Sequence, residues 1–570
     1  MRRILLFLLA LSSFPAFPLD AAQPESASGF RPQAEVVGRR FMAVTANRHA
    51  TAAAAEILEL GGSAIDAAIA AQWVLNVVEP QSSGIGGGGF LLFWDAKRRQ
   101  VLAYDGRETA PRAASADFAR GPDGALLNFD QVVATGKSVG TPGLVAMLEM
   151  VHEMHGKLRW ERLFRPAIRL AENGFPVSPR LHGLLAEDKF LMVDPAAKAL
   201  YYPTGKPLSA GDWLVNAELG ATLRLIAANG SLALHRGLLA DEIVGAVRAR
   251  GGVLDAEDLQ AYRPLRRTPV CGSFHAWRVC GMPPPSSGGI AVAQIMALME
   301  RVGGSSLAPE SADGVHLFAE SGRLAFADRG RYVADPDFVA VPTDQLLASP
   351  YLDQRAHLIA RTRSMGLAVP GEFAQQQIHA DGQSIEIPAT THMSIVDTEG
   401  NAVALTSSIE SGFGSRIMVR GFLLNNQLTD FSFLAERDGK PVANRLQPRK
   451  RPMSSMSPTI VLDKKQRLHA VLGSPGGPRI INYTARTAWA LLGAGLSPAQ
   501  AVALPHIGNR NGATELEQGT SAEGYAADLR QRDHAINIVP MPSGLHVIQR
   551  RGSDWVGAAD PRREGLAMGH

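Results

Sequence analysis

An α+β fold is what the sequence predicts, on three observations: a helix pair running straight into an apolar strand within the first hundred residues, a mostly helical middle, and a change of texture to strand, turn, strand at Thr390. At 570 residues the chain exceeds the size at which one hydrophobic core usually stops growing, so one very large or two interlocked domains are expected.

The first helix is expected from Asn47 to Leu60, alanine-rich and ended by Gly61-Gly62. Ser63 and Asp66 have capping-box spacing at the head of a second apolar helix, Ala64 to Val78, which Glu79-Pro80 closes. Gly84 to Gly89 then leads into Phe90-Leu91-Leu92-Phe93-Trp94, a run suited to a buried strand. Between Pro142 and Arg331 amphipathic patterns such as Trp160–Gly174 and Val315–Ala327 alternate with Gly/Pro punctuation, and Pro283 to Gly289 forms a stiff turn before a helix near Ile290. Met393–Val396, the turn Thr398–Asn401 and Ala402–Ile409 read as a hairpin. Strand-like runs recur at Gly421–Leu424, Thr459–Leu462 and Leu468–Leu472, and Pro478 marks the first position of a helix reaching Leu492. Phe433 to Arg449 reads as a polar, mobile loop.

Composition narrows the function. Hydrophobic residues make up 46% and charged ones 19%, values of a folded globular protein, and 57 basic against 54 acidic residues scattered without runs speak against nucleic-acid binding. Met1-Arg2-Arg3 followed by Ile4 to Leu11 reads as a secretory signal peptide ending near residue 22, too short to span a bilayer, so the mature protein is expected in the periplasm or medium, off the membrane. Cys271 and Cys280, nine apart, are open between a disulfide and free thiols. Two cysteines without CxxC or HExxH spacing supply too few zinc ligands, and no metal or organic cofactor is implied.

A threonine hydroxyl attacks only when a base takes its proton, and the threonine's own α-amine, with an ordinary pKa of about 7.7 to 8.0, is such a base once it becomes a chain terminus. Ala389-Thr390-Thr391-His392 permits that arrangement, although a Thr-Thr pair alone signals only β-propensity.

Ordered blocks from about Arg40 to Arg563 add to this: Gly61 to Ala68, Val78 to Phe90, Pro283 to Gly289, Thr390-Thr391-His392, Leu424-Asn425-Asn426-Gln427, Arg451 to Pro458 and Gly473 to Gly477. On these residues the chain resembles the γ-glutamyltransferase family of N-terminal nucleophile hydrolases. The resemblance implies a four-layer αββα sandwich and a precursor that cuts itself between Ala389 and Thr390 into a large subunit (23–389) and a small one (390–570), which stay together as a heterodimer.

It also implies roles. Thr390 is the nucleophile, and Ser408 stands where the family more often has a threonine that orients it and assists self-cleavage. Arg107 takes the donor's α-carboxylate, where a guanidinium fork suits bidentate bonding, with Ser454 and Ser455 beside it. Gln427 and Asp430 hold the α-ammonium. The Gly476 and Gly477 backbone N–H groups suit the oxyanion, while Gly86 to Gly89 reads as close backbone packing without a P-loop's Lys-Ser/Thr. Glu410 departs from the asparagine of glutathione-processing members; a second acid beside Asp430 favours an ammonium and puts glutathione as preferred donor in question. The Phe433–Arg449 loop stands where some members carry a lid, but lacks a tyrosine, so water is expected to compete as acceptor with amino acids and peptides. Two alternatives stay open: the same nucleophile acting on glutaryl groups of cephalosporins or on poly-γ-glutamate, and a secreted binding protein without catalysis.

Overall fold

The computed structural model describes residues 28–373, 379–382 and 389–570; the expected signal peptide lies outside them. Two seven-stranded sheets stack at the centre. The first runs β14 (Leu566–Gly569), β2 (Met42–Thr45), β8 (Ala389–Val396), β9 (Ala402–Glu410), β3 (Gly88–Asp95), β4 (Gln100–Asp105), β5 (Leu265–Arg267). The second runs β1 (Val36–Gly38), β13 (Asp554–Ala559), β12 (His546–Arg551), β11 (Leu468–Gly473), β10 (Thr459–Leu462), β7 (Trp277–Gly281), β6 (Val270–Phe274).

Strand periodicity assigns the layers. Phe90, Leu92 and Trp94 of β3 join Ile460, Val471 and Ile548 in the core between the sheets. Their neighbours Leu91 and Phe93 face outward onto α1 (Arg48–Glu59) and α2 (Ala64–Val78). Ala470 and Leu472 of β11 face the other way, onto α3 (Gly288–Arg301), α4 (Ala312–Tyr332) and α5 (Ile480–Leu492). Helices, two sheets and helices again make the αββα sandwich.

Local chemistry explains most boundaries. Asn47 caps α1 and Gly61 follows it at φ +82°, where a glycine carries no Cβ penalty. The capping box of α2 is formed, Ser63 Oγ accepting from Asp66 N and Asp66 returning the bond to Ser63 N. Cys271 and Cys280 face each other across the β6–β7 hairpin and are disulfide-bonded.

Four expectations need correction. Trp160–Gly174 is a 3-10 turn (Trp160–Phe164) followed by a helix over Arg165–Asn173. The helix expected from Pro478 begins as a 3-10 turn over Gly477–Arg479, with α5 proper starting at Ile480. Gly421–Leu424 contributes only the two-residue strand Phe422–Leu423, outside both main sheets. Phe433 to Arg449 is anchored rather than loose: Val442, Ala443 and Leu446 are buried, Asn444 Nδ2 donates to the Asp430 carbonyl and Lys450 Nζ to that of Ala443.

Candidate active site

The hairpin β8–β9 builds the centre of the site. Its register sets Thr390 opposite Ser408, with an irregularity between Ala389 and Thr390. Alternation puts Thr390 on the same face as His392, Ser394 and Val396, toward the interior between the sheets. Thr390 Oγ1 donates to Ser408 Oγ at 3.3 Å, and Ser408 Oγ donates to the Ala389 carbonyl at 2.7 Å while accepting from Glu410 N at 2.9 Å. The Ser408 hydroxyl thus spends its one proton on the carbonyl next to Thr390. His392, directly after the Thr-Thr pair, is fully buried between Thr406 and Ser394, and burial holds it well below its ordinary pKa.

A pocket opens in front of Thr390. Arg107, Ser408, Glu410, Gln427, Asp430, Ser454, Ser455, Met456, Gly477 and Ile480 line it with Thr390. Nine of the ten residues expected around the reaction therefore converge; Gly476 sits one residue behind, packed on the Tyr483 ring. Neither the Gly476 nor the Gly477 N–H donates to another group among the described residues, and both residues have positive φ (+135° and +57°). Glycine tolerates such angles, and uncommitted N–H groups in a loop that reaches the Thr390 pocket at Gly477 have the chemistry to hold an oxyanion.

Arg107 comes from the segment after β4. It is 1% exposed and already engaged: Nε donates to the Pro452 carbonyl (3.2 Å), and Nη2 to Asp430 Oδ2 (2.5 Å) and the Met453 carbonyl (2.7 Å). Gln427 Nε2 donates to the same Asp430 oxygen at 2.7 Å, and Gln427 Oε1 is buried without a partner among the described residues. The residues expected on opposite ends of a donor are thus paired with each other. Glu410, at φ +83°, accepts from Asn426 Nδ2.

Three supports were not legible in the sequence. Arg329 of α4 donates to Ser455 Oγ (2.8 Å) and Ser287 Oγ (2.9 Å), bringing a cation behind the serine pair. Glu108 is buried 4.0 Å from Arg107, and burial pushes its carboxyl up to about 8 against the pull of Arg107. Arg563 donates to the Thr390 carbonyl at 3.2 Å. Arg329 and Arg563 act across 126 and 173 positions, so no local spacing announces them, while Glu108 adjoins Arg107 and only the fold reveals its burial. The glycine run behaves as expected: a Cβ on Gly86, Gly87 or Gly88 would meet Leu423 O, Ser408 O or the Glu108 carboxylate.

A pocket that brings Thr390 together with Gly477 on a paired-sheet sandwich fits an N-terminal nucleophile type of hydrolase. Residues 50–570 match the family model described as Gamma-glutamyltranspeptidase, and the chain belongs to that family of enzymes. It is 34% identical over 579 residues to a glutathione hydrolase proenzyme of Bacillus subtilis (strain 168), covering 99% of this chain and 97% of that protein. The Acylase ACY 1 proenzyme of Pseudomonas sp. (strain V22) is 35% identical over 518 residues, 89% of each chain. Among solved structures, cephalosporin acylase from Bacillus halodurans superposes with a TM-score of 0.82 at 26% identity, covering 96% of this chain and 99% of that one. Among the described residues no helix is long and apolar enough to cross a membrane.

Proposed function

We propose that the chain cuts itself between Ala389 and Thr390 and then uses Thr390 to cleave γ-glutamyl amides, passing the γ-glutamyl group to water, amino acids or peptides. One observation carries the reading: Thr390 Oγ1 and the Ala389 carbonyl meet on a single hydroxyl, that of Ser408, at the mouth of a pocket lined by Arg107 and Asp430. In the precursor Thr390 Oγ1 adds to the Ala389 carbonyl carbon while Ser408 stabilises the charge on its oxygen; the C–N bond to Thr390 then breaks, the Oγ1 proton passing to that nitrogen, and water hydrolyses the resulting Ala389 ester to a carboxylate and the free Thr390 hydroxyl. Scission yields the 23–389 and 390–570 chains as an interlocked heterodimer.

In the mature enzyme the freed α-amine takes the Oγ1 proton as the Oγ1–carbon bond forms. It returns that proton to the leaving nitrogen as the amide breaks. Gly476 and Gly477 receive the oxyanion. Water or an amine then attacks the γ-glutamyl ester and regenerates Thr390.

Charge favours a zwitterionic donor head. The pocket holds one cation, Arg107, against two acids, Glu410 and Asp430. A γ-glutamyl head adds a carboxylate for Arg107, Ser454 and Ser455 and an ammonium for Asp430, Glu410 and Gln427. A glutaryl group adds the carboxylate alone and brings no ammonium for Asp430, Glu410 or Gln427. Glutaryl or poly-γ-glutamate chemistry is the second reading, supported by the likeness to the two acylases. The Met1–Leu11 segment supports export to the periplasm or medium.

Intact mass and N-terminal sequencing of the purified protein test the first step. Two chains are expected, the smaller beginning Thr-Thr-His-Met, and Thr390→Ala should stay single and inactive; a cut, active Thr390→Ala enzyme refutes the mechanism. Rates on γ-glutamyl- and glutaryl-p-nitroanilide then separate the two readings.

A further inference from the structure

We propose that Arg563 is a positioning residue for the mature nucleophile: it holds the Thr390 carbonyl once the Ala389–Thr390 bond is gone and keeps the adjacent α-amine in its free-base form. This rests on the reading of Thr390 as an N-terminal nucleophile.

Scission creates a mechanical problem. Strand β8 pairs with β9 from its first residue, but with β2 only from Met393 to Val396. Thr390 to His392 are therefore strand-paired on one side alone, and a new chain end frays unless something ties it. Arg563, itself 3% exposed, donates from Nη1 to the Thr390 carbonyl at 3.2 Å, a bond the cut leaves untouched.

The anchor is rigid. Asp560, at the head of the turn carrying Arg563, exchanges bonds with Leu545: Asp560 N donates to Leu545 O at 2.8 Å, and Leu545 N to Asp560 Oδ2 at 3.0 Å. Gly544 next to it has no room for a side chain, since a Cβ would lie 2.7 Å from Pro475 and 2.9 Å from the Arg563 stem. Nucleophile and glycine-rich oxyanion loop are thus braced against one piece of backbone.

The same contact has an electrostatic consequence. A guanidinium bound to the carbonyl of Thr390 stands within about 7 Å of the amine of that residue, and a nearby cation disfavours the ammonium form. Charged and titratable groups reach this region from every packed element. On β8 and β12, His392 and His546 are buried, the latter lowered to about 3, and stay neutral near pH 7. Asp560 is paired with Arg562, and Asp430 with Arg107. Glu410, which follows the Ser408 pair on β9, pulls the amine toward its protonated form. Arg563 opposes that pull from the nucleophile's own carbonyl, so a free amine is available as base at neutral pH.

The test uses the full chain with Arg563→Gln, which keeps an N–H donor without charge, and Arg563→Lys, which keeps the charge. Self-cleavage is followed by intact mass, and the pH dependence of kcat/KM by γ-glutamyl-p-nitroanilide hydrolysis. Arg563→Gln should raise the acidic limb by about one pH unit, an approximately tenfold loss on that limb, while Arg563→Lys stays near the wild-type limb. A Gln limb coincident with wild type, an equal displacement in both variants, or two variants that remain uncut would each overturn the proposal. A wild-type protein that is itself uncut and inactive would instead bring down the nucleophile reading beneath it.

Discussion

Arg107→Lys separates donor recognition from self-cleavage, because Arg107 touches neither Thr390 nor Ala389. Lysine retains the charge but has one nitrogen where arginine uses two to grip a carboxylate. Losing one of two charge-assisted bonds to the donor costs about 2 kcal/mol, a fall of about 30-fold in kcat/KM. A second cost falls on the fold. Nε and Nη2 now satisfy the buried Pro452 and Met453 carbonyls, and leaving either without a donor costs about 1–3 kcal/mol. The assay is kcat/KM on γ-glutamyl-p-nitroanilide beside intact mass and thermal unfolding of the same preparation. The expected result is a fully cut, somewhat less stable enzyme with poor donor use. Unchanged kcat/KM would remove Arg107 from the donor site, and cleavage failing in step with activity would make it a folding residue.

Asp430→Asn should lower activity on γ-glutamyl-p-nitroanilide and raise it on the glutaryl analogue, since an amide no longer competes for Arg107 or repels a lone carboxylate; a parallel fall on both substrates contradicts the charge argument. Glu108→Gln should flatten the dependence of stability on pH. A carboxyl raised to about 8 by burial lends stability that is full below its unfolded pKa of about 4.3 and is lost as pH rises through 8. Melting curves from pH 4.5 to 9 should therefore decline in the wild type more than in the variant, and identical slopes would show that Glu108 stays ionised.

The hairpin at Thr390, the capping box at Ser63 and the strands at Phe90, Thr459 and Leu468 were legible because each follows from neighbours a few residues apart. Phe433–Arg449 was misread as mobile for the opposite reason. Its polar composition is real, but Asn444 answers to Asp430 and Met453, and Lys450 folds back on Ala443. The pocket residues could be named only through motif resemblance, since Arg107 and Asp430 lie 323 positions apart. Even that route misses a group serving another side chain. Arg329 in the last turn of α4 has no motif; only the fold brings it to Ser455. Nor does spacing reveal that Arg107 and Asp430 bond to each other.

In the proposed mechanism Ser408 links the two reactions in time. In the uncut chain its proton is committed to the Ala389 carbonyl at 2.7 Å, so the Thr390 hydroxyl can only donate to it, not receive from it. That geometry serves self-cleavage, in which charge grows on the Ala389 oxygen. After scission Ala389 ends the other chain as a carboxylate, and once it moves away the Ser408 proton is released to the nucleophile's own oxygen. On this proposal one hydroxyl stabilises the first oxyanion and afterwards orients the catalytic group. Ser408→Ala should slow maturation by about 100-fold to 1,000-fold, the usual cost of one oxyanion donor, with a smaller effect on turnover of whatever enzyme matures. Ser408→Thr keeps the hydroxyl and should mature at a near wild-type rate. Time courses of chain cleavage for the two variants test this directly: if Ser408→Ala matures as fast as wild type, the 2.7 Å bond is a bystander and the oxyanion of the first reaction is held elsewhere.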